Sequence, residues 1–299
     1  MEKLMVSRIK LKLEELLLNY LKYEIHPFNQ PKISVNEFNI KGLNSDFEPV
    51  FFLSTGRTGT KLFTSILSKD RNNIVEHAPS PELIFESKEI FNLHEGDSLL
   101  DKNIRRLIFS LLFQTRKQYF FRSVIHGKRY IETNNRITFF APLIKEFIPN
   151  AKFVFIHRHP GEFVRSGLRR GWYSGNHDHD IGRITMQSTE RWSELNDIQR
   201  ISWLWNETNM FIDGFLKDLK SDDYIVLNFN EINTEKVEEV INFIGSKGIS
   251  KKHIKNCLGS KINAQRAGSF PAYENWADKD RSELIDFCGV LARKYGYEL

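Results

Sequence analysis

Pro49-Val-Phe-Phe-Leu-Ser-Thr-Gly-Arg-Thr-Gly-Thr-Lys-Leu-Phe63 is the stretch whose reading decides the fold. An apolar run, Val50–Leu53, meets a small-residue turn. The turn opens into a segment that places Leu62, Phe63, Ile66 and Leu67 on one helical face. The order is strand, loop, helix N-terminus. Such a turn aims several backbone N–H groups and the positive end of a helix dipole at one spot. Arg57 and Lys61 add charge there, so an anion, most naturally a phosphate, is expected. Gly56 and Gly59 let the backbone turn tightly, Thr58 and Thr60 offer hydroxyls, and Arg57 offers a planar fork of donors. A nucleoside-triphosphate loop needs Gly-x-x-x-x-Gly-Lys-Ser/Thr. Here the glycines are three apart and Lys61 is followed by Leu62, which leaves no hydroxyl where Mg²⁺ would need one. The loop therefore reads as a phosphate cradle that is not built for ATP hydrolysis.

Outward from this loop the chain alternates strand and helix. The pattern predicts strands at 50–53, 73–76, 129–132, 152–156 and 224–229. It predicts helices at about 59–69, 81–92, 98–113, 138–147, 161–171, 188–219, 234–246 and 279–294. Short β-rich runs separated by helices predict an α/β fold, a mostly parallel central sheet with helices on both faces. Ligands of such sheets bind beyond the carboxyl ends of the strands. A second strand–helix junction, Lys152-Phe-Val-Phe-Ile-His-Arg-His-Pro-Gly-Glu-Phe-Val-Arg-Ser166, therefore converges on the same crevice as the first loop. Pro160 suits the first helical position. Arg158 at the strand end and Ser166 two turns into the helix are placed to clamp one phosphate from two sides; taken alone, they read equally well as a surface arginine and a helical serine.

Residues 1–47 read as an N-terminal extension and connector, and the main domain as 48–299. Val6, Ile9, Leu13, Leu16, Leu17 and Tyr20 recur at helical spacing. That helix is expected to pack on the body, with a homodimer contact or a membrane-surface role as alternatives. The chain is 40% hydrophobic and 13% aromatic, which fits a globular protein. A net charge of +5 suits an anionic ligand without amounting to a nucleic-acid signature. The two cysteines, Cys257 and Cys288, form neither a disulfide framework nor metal-ligand spacing. No apolar run is long enough to span a membrane, and charges interrupt the leucines of the first helix as no signal peptide would tolerate. A cytoplasmic location is expected. His177, Asp178, His179 and Asp180 show no evident third metal ligand on one face, so no metal is expected. Trp172 and Tyr173, in the same insert, are candidates to stack on a sugar ring, or alternatively core residues.

A phosphate loop near the start of the body, followed about a hundred residues later by Arg158-x-Pro160 leading to Ser166, resembles the sulfotransferase family. Members use 3′-phosphoadenosine-5′-phosphosulfate (PAPS). The resemblance covers 49–299 and implies a P-loop-like three-layer fold. It implies that Gly56, Arg57, Thr58, Gly59, Thr60 and Lys61 hold the 5′-phosphosulfate and that Arg158 and Ser166 hold the 3′-phosphate. Arg57 stands where the carbohydrate and tyrosyl-protein branches usually carry Arg. The loop Lys261-Ile-Asn-Ala-Gln-Arg-Ala-Gly268 and the Gly296-Tyr297 ending are similar to elements that close the family's site. Lys261 and Arg266 become further candidates for the 3′-phosphate, with a solvated basic loop as the plainer reading. The implied reaction is an in-line transfer of a sulfuryl group to a hydroxyl or amine without a metal, with Arg57 and Lys61 neutralising charge. Bacterial relatives carry a His-Glu-Pro-like element where this chain has Val75-Glu-His-Ala-Pro79. The base is thus expected at Glu76 or His77, Glu76 favoured, with Glu82 third. Glu132-Thr-Asn-Asn-Arg136 is expected to border the acceptor side. The acceptor is expected to be a carbohydrate or small metabolite. A nucleotide or sugar kinase, and an inactive nucleotide-binding module, are the competing readings.

Overall fold

The computed structural model describes residues 39–43, 46–96, 101–175, 179–260 and 269–299. The expected helix that holds Val6 to Tyr20 lies outside them, as do Lys261, Arg266, His177 and Asp178. Five strands form one sheet: β1 (Val50–Leu53), β2 (Asn73–Glu76), β3 (Arg129–Glu132), β4 (Lys152–His157) and β5 (Tyr224–Asn228). Their order is β2-β3-β1-β4-β5 and every pairing is parallel. Three of the expected strands have these bounds; the fourth gains His157 and the fifth ends one residue earlier.

Alternation along the strands splits the core in two. Phe51, Leu53, Tyr130, Phe153 and Phe155 face one side. They pack under α2 (Ile84–Glu95), α3 (Lys102–His126), α4 (Ala141–Phe147), α5 (Pro160–Leu168), α7 (Asp197–Lys217) and α10 (Asp278–Lys294). Val50, Phe52, Ile131, Val154 and Ile156 face the other. They pack under α1 (Thr60–Leu67), α8 (Thr234–Ile244) and α9 (Lys251–Gly259). The result is three layers, helix–sheet–helix.

Three helices depart from expectation for readable reasons. α3 continues to His126 because Arg116, in the polar run that seemed to end it, is fully buried on the same face as Phe109, Leu112, Phe113 and Phe120. The stretch 188–219 is two helices, α6 (Thr189–Glu194) and α7. Asn196 starts α7 with a reciprocal capping box: its side chain accepts from the Gln199 N–H, and Gln199 Oε1 accepts from the Asn196 N–H, each at 3.0 Å. α9 was not foreseen because Ile254 is its one buried residue, too few for an apolar stripe.

β1 and β4 lie side by side, yet the chain leaves them on opposite faces, into α1 and α5. A crevice opens where neighbouring connections diverge in this way. Both sequence motifs stand at its mouth.

Candidate active site

The first loop folds as a cradle because three of its residues take left-handed backbone: Gly56 (φ 81°), Arg57 (φ 59°) and Gly59 (φ 79°). Gly59 also lies against the ring of Phe229, which follows β5; a Cβ there would stand 2.7 Å from Phe229 Cε2. The cradle is tied to the sheet by Thr138, whose Oγ1 accepts from the Ser54 N–H and donates to the Ser54 carbonyl, each at 3.2 Å. Ser54 Oγ in turn accepts from the Gly56 N–H at 3.1 Å.

The second motif meets the first. Arg158 Nη1 donates to the Arg57 carbonyl at 3.0 Å, and Arg57 Nε approaches Ser166 Oγ at 3.4 Å. The Arg158 guanidinium also lies 4.9 Å from the centre of the Phe229 ring, so one aromatic residue braces both loops. Ser166 Oγ receives a second donor, Arg170 Nη1, at 2.9 Å. With two arginines donating to its oxygen, the hydroxyl proton of Ser166 is directed elsewhere. Arg158 pairs with Glu162 one turn later, at 3.3 Å.

These cations crowd one another. Burial, then Arg170 and Arg158, pull the Arg57 pKa down to about 10; burial, then Arg169 and Arg158, lower that of Arg170. Thr58 Oγ1 and Arg158 Nε are buried and make no hydrogen bond among the described residues. Buried polar atoms normally have partners. Orphaned donors beside a glycine-lined turn and several arginines fit a site made for a phosphorylated ligand.

A cavity of about 850 Å³ joins these groups. Six of the expected residues, Gly56, Arg57, Gly59, Thr60, Lys61 and Arg158, line it, and so does Ser166. Thr58 lies beneath, buried. On the opposite wall stand His77, Glu82, Asn134 and Arg136; Glu76 does not line the cavity. His77 Nδ1 lies 3.0 Å from Thr133 Oγ1, which lies 2.8 Å from Thr64 Oγ1, which donates to the Thr60 carbonyl at 3.0 Å. Burial, then the charge of Lys61, lowers the His77 pKa.

Glu132, expected near the crevice, is sealed beneath it. Arg116 Nε and Nη2 grip its two carboxylate oxygens at 2.8 Å each, and Tyr130 adds a hydroxyl donor at 2.8 Å. Both charged side chains are fully buried. The same Arg116 donates to the Pro81 carbonyl, and Asn134 donates to the Glu82 carbonyl, at 3.0 and 3.1 Å. The pair thus anchors the loop that carries His77 and Glu82. Tyr173 is packed away, and Trp172, which borders the cavity, presents little surface to a sugar. Trp172 is 5% exposed under Arg183, whose guanidinium lies 3.9 Å from its ring centre, and the Tyr173 hydroxyl donates to the Ile184 carbonyl at 2.7 Å. Among the described residues no group of three or more His, Cys, Asp or Glu side chains is gathered as metal ligands require.

Sequence reasoning missed Thr64, Arg170, Arg183 and the bracing role of Phe229, and it held Thr133 only as part of the 132–136 stretch. Thr64 and Phe229 act through contacts distant in sequence, whereas Arg170 reaches back one turn to Ser166.

The fold has relatives among solved structures. Sulfotransferase STF9 from Mycobacterium avium superposes with a TM-score of 0.52 at 12% identity, covering 95% of this chain and 81% of its own. The sulfotransferase domain from the curacin biosynthetic pathway gives 0.49 at 16% identity, over 84% of this chain and 98% of that one. Mouse sulfotransferase SULT7A1, solved in complex with PAP, gives 0.44 at 10% identity, over 87% and 92%. No curated protein matches the chain in sequence. The model of the sulfotransferase family matches residues 49–240, more than half of the chain and both loops of the cavity, and the protein belongs to that family.

Proposed function

We propose that the protein transfers a sulfuryl group from PAPS to an acceptor hydroxyl or amine, and that the two cationic loops hold opposite ends of the donor. The observation that carries this reading is the junction of the loops: Arg158 bonded to the Arg57 carbonyl, and Arg57 beside Ser166. Two phosphate-binding elements that touch fit a ligand with two phosphates on one nucleoside. The donor supplies an activated sulfuryl group whose leaving group is 3′,5′-diphosphoadenosine (PAP).

The chain's own residues have distinct tasks. Backbone N–H groups from Thr58 to Lys61, with the dipole of α1, cradle the 5′-phosphate end. Arg57 and Lys61 stand where charge builds on the transferred and leaving oxygens, each contact contributing about 1.5–3 kcal/mol. Arg158 and the outward hydroxyl of Ser166 hold the 3′-phosphate, and Lys261 and Arg266 are further candidates for it.

His77 is the base this arrangement supports best. Thr64 donates to the Thr60 carbonyl, and Thr133 has two acceptors for its own proton, Thr64 Oγ1 and the Glu76 carbonyl at 3.3 Å; with that proton so placed, Thr133 accepts from His77 Nδ1–H. That order leaves Nε2 with its lone pair, the tautomer a general base needs. Burial and Lys61 hold the ring neutral at neutral pH. The acceptor's proton passes to Nε2 as its oxygen or nitrogen bonds to sulfur and the S–O bond to the donor breaks. Glu76 is the weaker candidate because it does not line the cavity, and Glu82, which does, ranks between them. The acceptor is a carbohydrate or small metabolite, and two free cysteines support a cytoplasmic setting.

Calorimetric titration with PAP and with ATP tests the reading. PAP is expected to bind without Mg²⁺ and more tightly than ATP. Arg158→Ala is expected to weaken PAP by about 2 kcal/mol, roughly thirtyfold. Tight binding of ATP with Mg²⁺ and indifference to PAP would select the kinase reading instead.

A further inference from the structure

The cavity holds more positive charge than the proposed donor requires. Eight Arg and Lys side chains line it against two carboxylates, Glu82 and Glu162. PAPS carries about four negative charges, counting up to two for its terminal phosphate. The surplus includes a pair that belongs to neither loop, a wall formed by Arg136 and by Arg183, which sits on Trp172 beside α5.

This wall is built, not a loose surface. Arg136 comes from the turn after β3, beside Asn135, whose side chain packs against Gly56 of the first loop. Arg183 follows a short turn at Asp180–Gly182 that lies against the start of α2. The approach is so close that a Cβ on Gly182 would sit 1.9 Å from the Ile84 carbonyl oxygen. Arg136 Nη1 donates to the Gly182 carbonyl at 2.7 Å, which ties the two segments together. Arg183 is held flat on Trp172 and bonded through Nε to Asp180 at 2.7 Å.

The charges on this wall are unequally answered. Asp180 serves Arg183, whereas Arg136 makes no ion pair among the described residues and spends one of its five N–H donors on a carbonyl. Burial, then the charge of Arg183, pulls the Arg136 pKa down to about 10, with Tyr173, Glu82 and Asp180 offsetting only part of it. Arg183 is buried and paired with Asp180, but its repulsion of the partly buried Arg136 costs stability unless a further anion joins them. A planar fork facing a cavity is suited to a carboxylate, sulfate or phosphate. A merely structural Arg136, needed only to tether Gly182, would not have to open into the cavity.

We infer that the acceptor carries an oxyanion of its own, a carboxylate or a sulfate or phosphate ester, and that Arg136 and Arg183 bind it while the nearby hydroxyl or amine is sulfated. The inference rests on the donor reading above and names the substrate class for the same site. It makes the protein one that adds charge to an already acidic molecule.

The test uses full-length protein saturated with PAP and three probes on one scaffold: 4-nitrophenyl β-D-glucoside, its 6-sulfate, and 4-nitrophenyl β-D-glucuronide. Equilibrium binding of each is measured to wild type and to Arg136→Gln and Arg183→Gln. At least one anionic probe is expected to bind wild type tenfold or more tighter than the neutral glucoside. Each substitution is expected to cut that preference to threefold or less with PAP affinity within twofold of wild type. Arg136→Lys, which keeps the charge and loses the fork, is expected to fall between. Which anionic arm wins distinguishes carboxylate from ester. Equal binding of all three probes, binding of none, or an anion preference that survives both substitutions overturns the inference. Failure of wild type to bind PAP overturns the donor reading instead, so the two failures are distinguishable.

Discussion

The rim after β1 and β4 and the rim after β2 and β3 face each other across one cavity and are held by opposite means. On the first, Arg57, Arg158 and Arg170 crowd together, burial and then neighbouring arginines lower the pKa of Arg57 and Arg170, and Thr58 Oγ1 and Arg158 Nε make no hydrogen bond among the described residues. On the second, His77, Thr133 and Thr64 form a neutral chain of hydrogen bonds over a buried Arg116–Glu132 pair. The first rim is unsatisfied without an anion; the His77–Thr133–Thr64 chain of the second is complete as it stands. The difference teaches where binding and chemistry divide. Repelling cations are relieved by a phosphorylated ligand, which stabilises the bound state. A self-contained network keeps one histidine nitrogen basic whether or not ligand is present.

The largest expected effect breaks the second rim without touching the first. His77→Ala is expected to lower turnover by about 10²–10⁴ while PAP affinity stays within twofold. If PAP affinity falls as far as turnover, the division between the rims is wrong. The activity of wild type is expected to decline with acidity only below 6.5, because the His77 pKa is lowered from that value. A decline centred above 6.5 contradicts the assignment.

Next in size is the support under that rim. Glu132→Ala strands the fully buried Arg116, and loss of one partner of a buried pair costs about 3–5 kcal/mol. Denaturant unfolding measures it, and a cost below 1 kcal/mol would show that the pair is not what holds this wall. A companion effect comes from β4. Tyr297 donates to Asn228 Oδ1 at 2.9 Å, so His157 Nδ1 donates to Tyr297 at 2.7 Å, and burial pulls the His157 pKa from 6.5 to about 4. A depressed histidine stays neutral when folded and charges when unfolded. Its contribution is therefore present above pH 6.5, is lost as pH falls from 6.5 towards 4, and amounts to about 3 kcal/mol. His157→Gln is expected to flatten that part of the stability–pH curve.

The smallest effect sharpens the comparison. Thr133→Val removes the hydroxyl that fixes the His77 tautomer and is expected to cost about 1 kcal/mol in kcat, less than tenfold. PAP affinity is expected to be unchanged. A turnover equal to wild type would mean that the hydroxyl chain does not orient the base.

Much of the first rim was legible in the sequence because its signals are local. A strand, a glycine turn and a helix start occupy consecutive residues at 50–67, and Arg158 and Ser166 straddle another such junction. The second rim is assembled from pairs far apart in the chain. Arg116 looked like the end of a helix until Glu132 met it from the neighbouring strand. Glu76 and His77 were separable only by knowing which of the two lines the cavity. Arg183 carried no signal, because its turn, although closed by Asp180, is placed at the cavity by contact with Ile84 and Arg136. Trp172 had two readings, ligand stacking or core, and the arginine that covers its ring at the cavity edge favours the second.

The central claim is that one bisphosphorylated adenosine bridges the two cationic loops. A crystal structure of the PAP complex tests it most directly. The 3′-phosphate is expected between Arg158 and Ser166, and the 5′-phosphate on the backbone N–H groups of Thr58 to Lys61. A nucleotide bound in another cleft, or in this one with Arg158 and Ser166 turned away from both phosphates, would contradict the account.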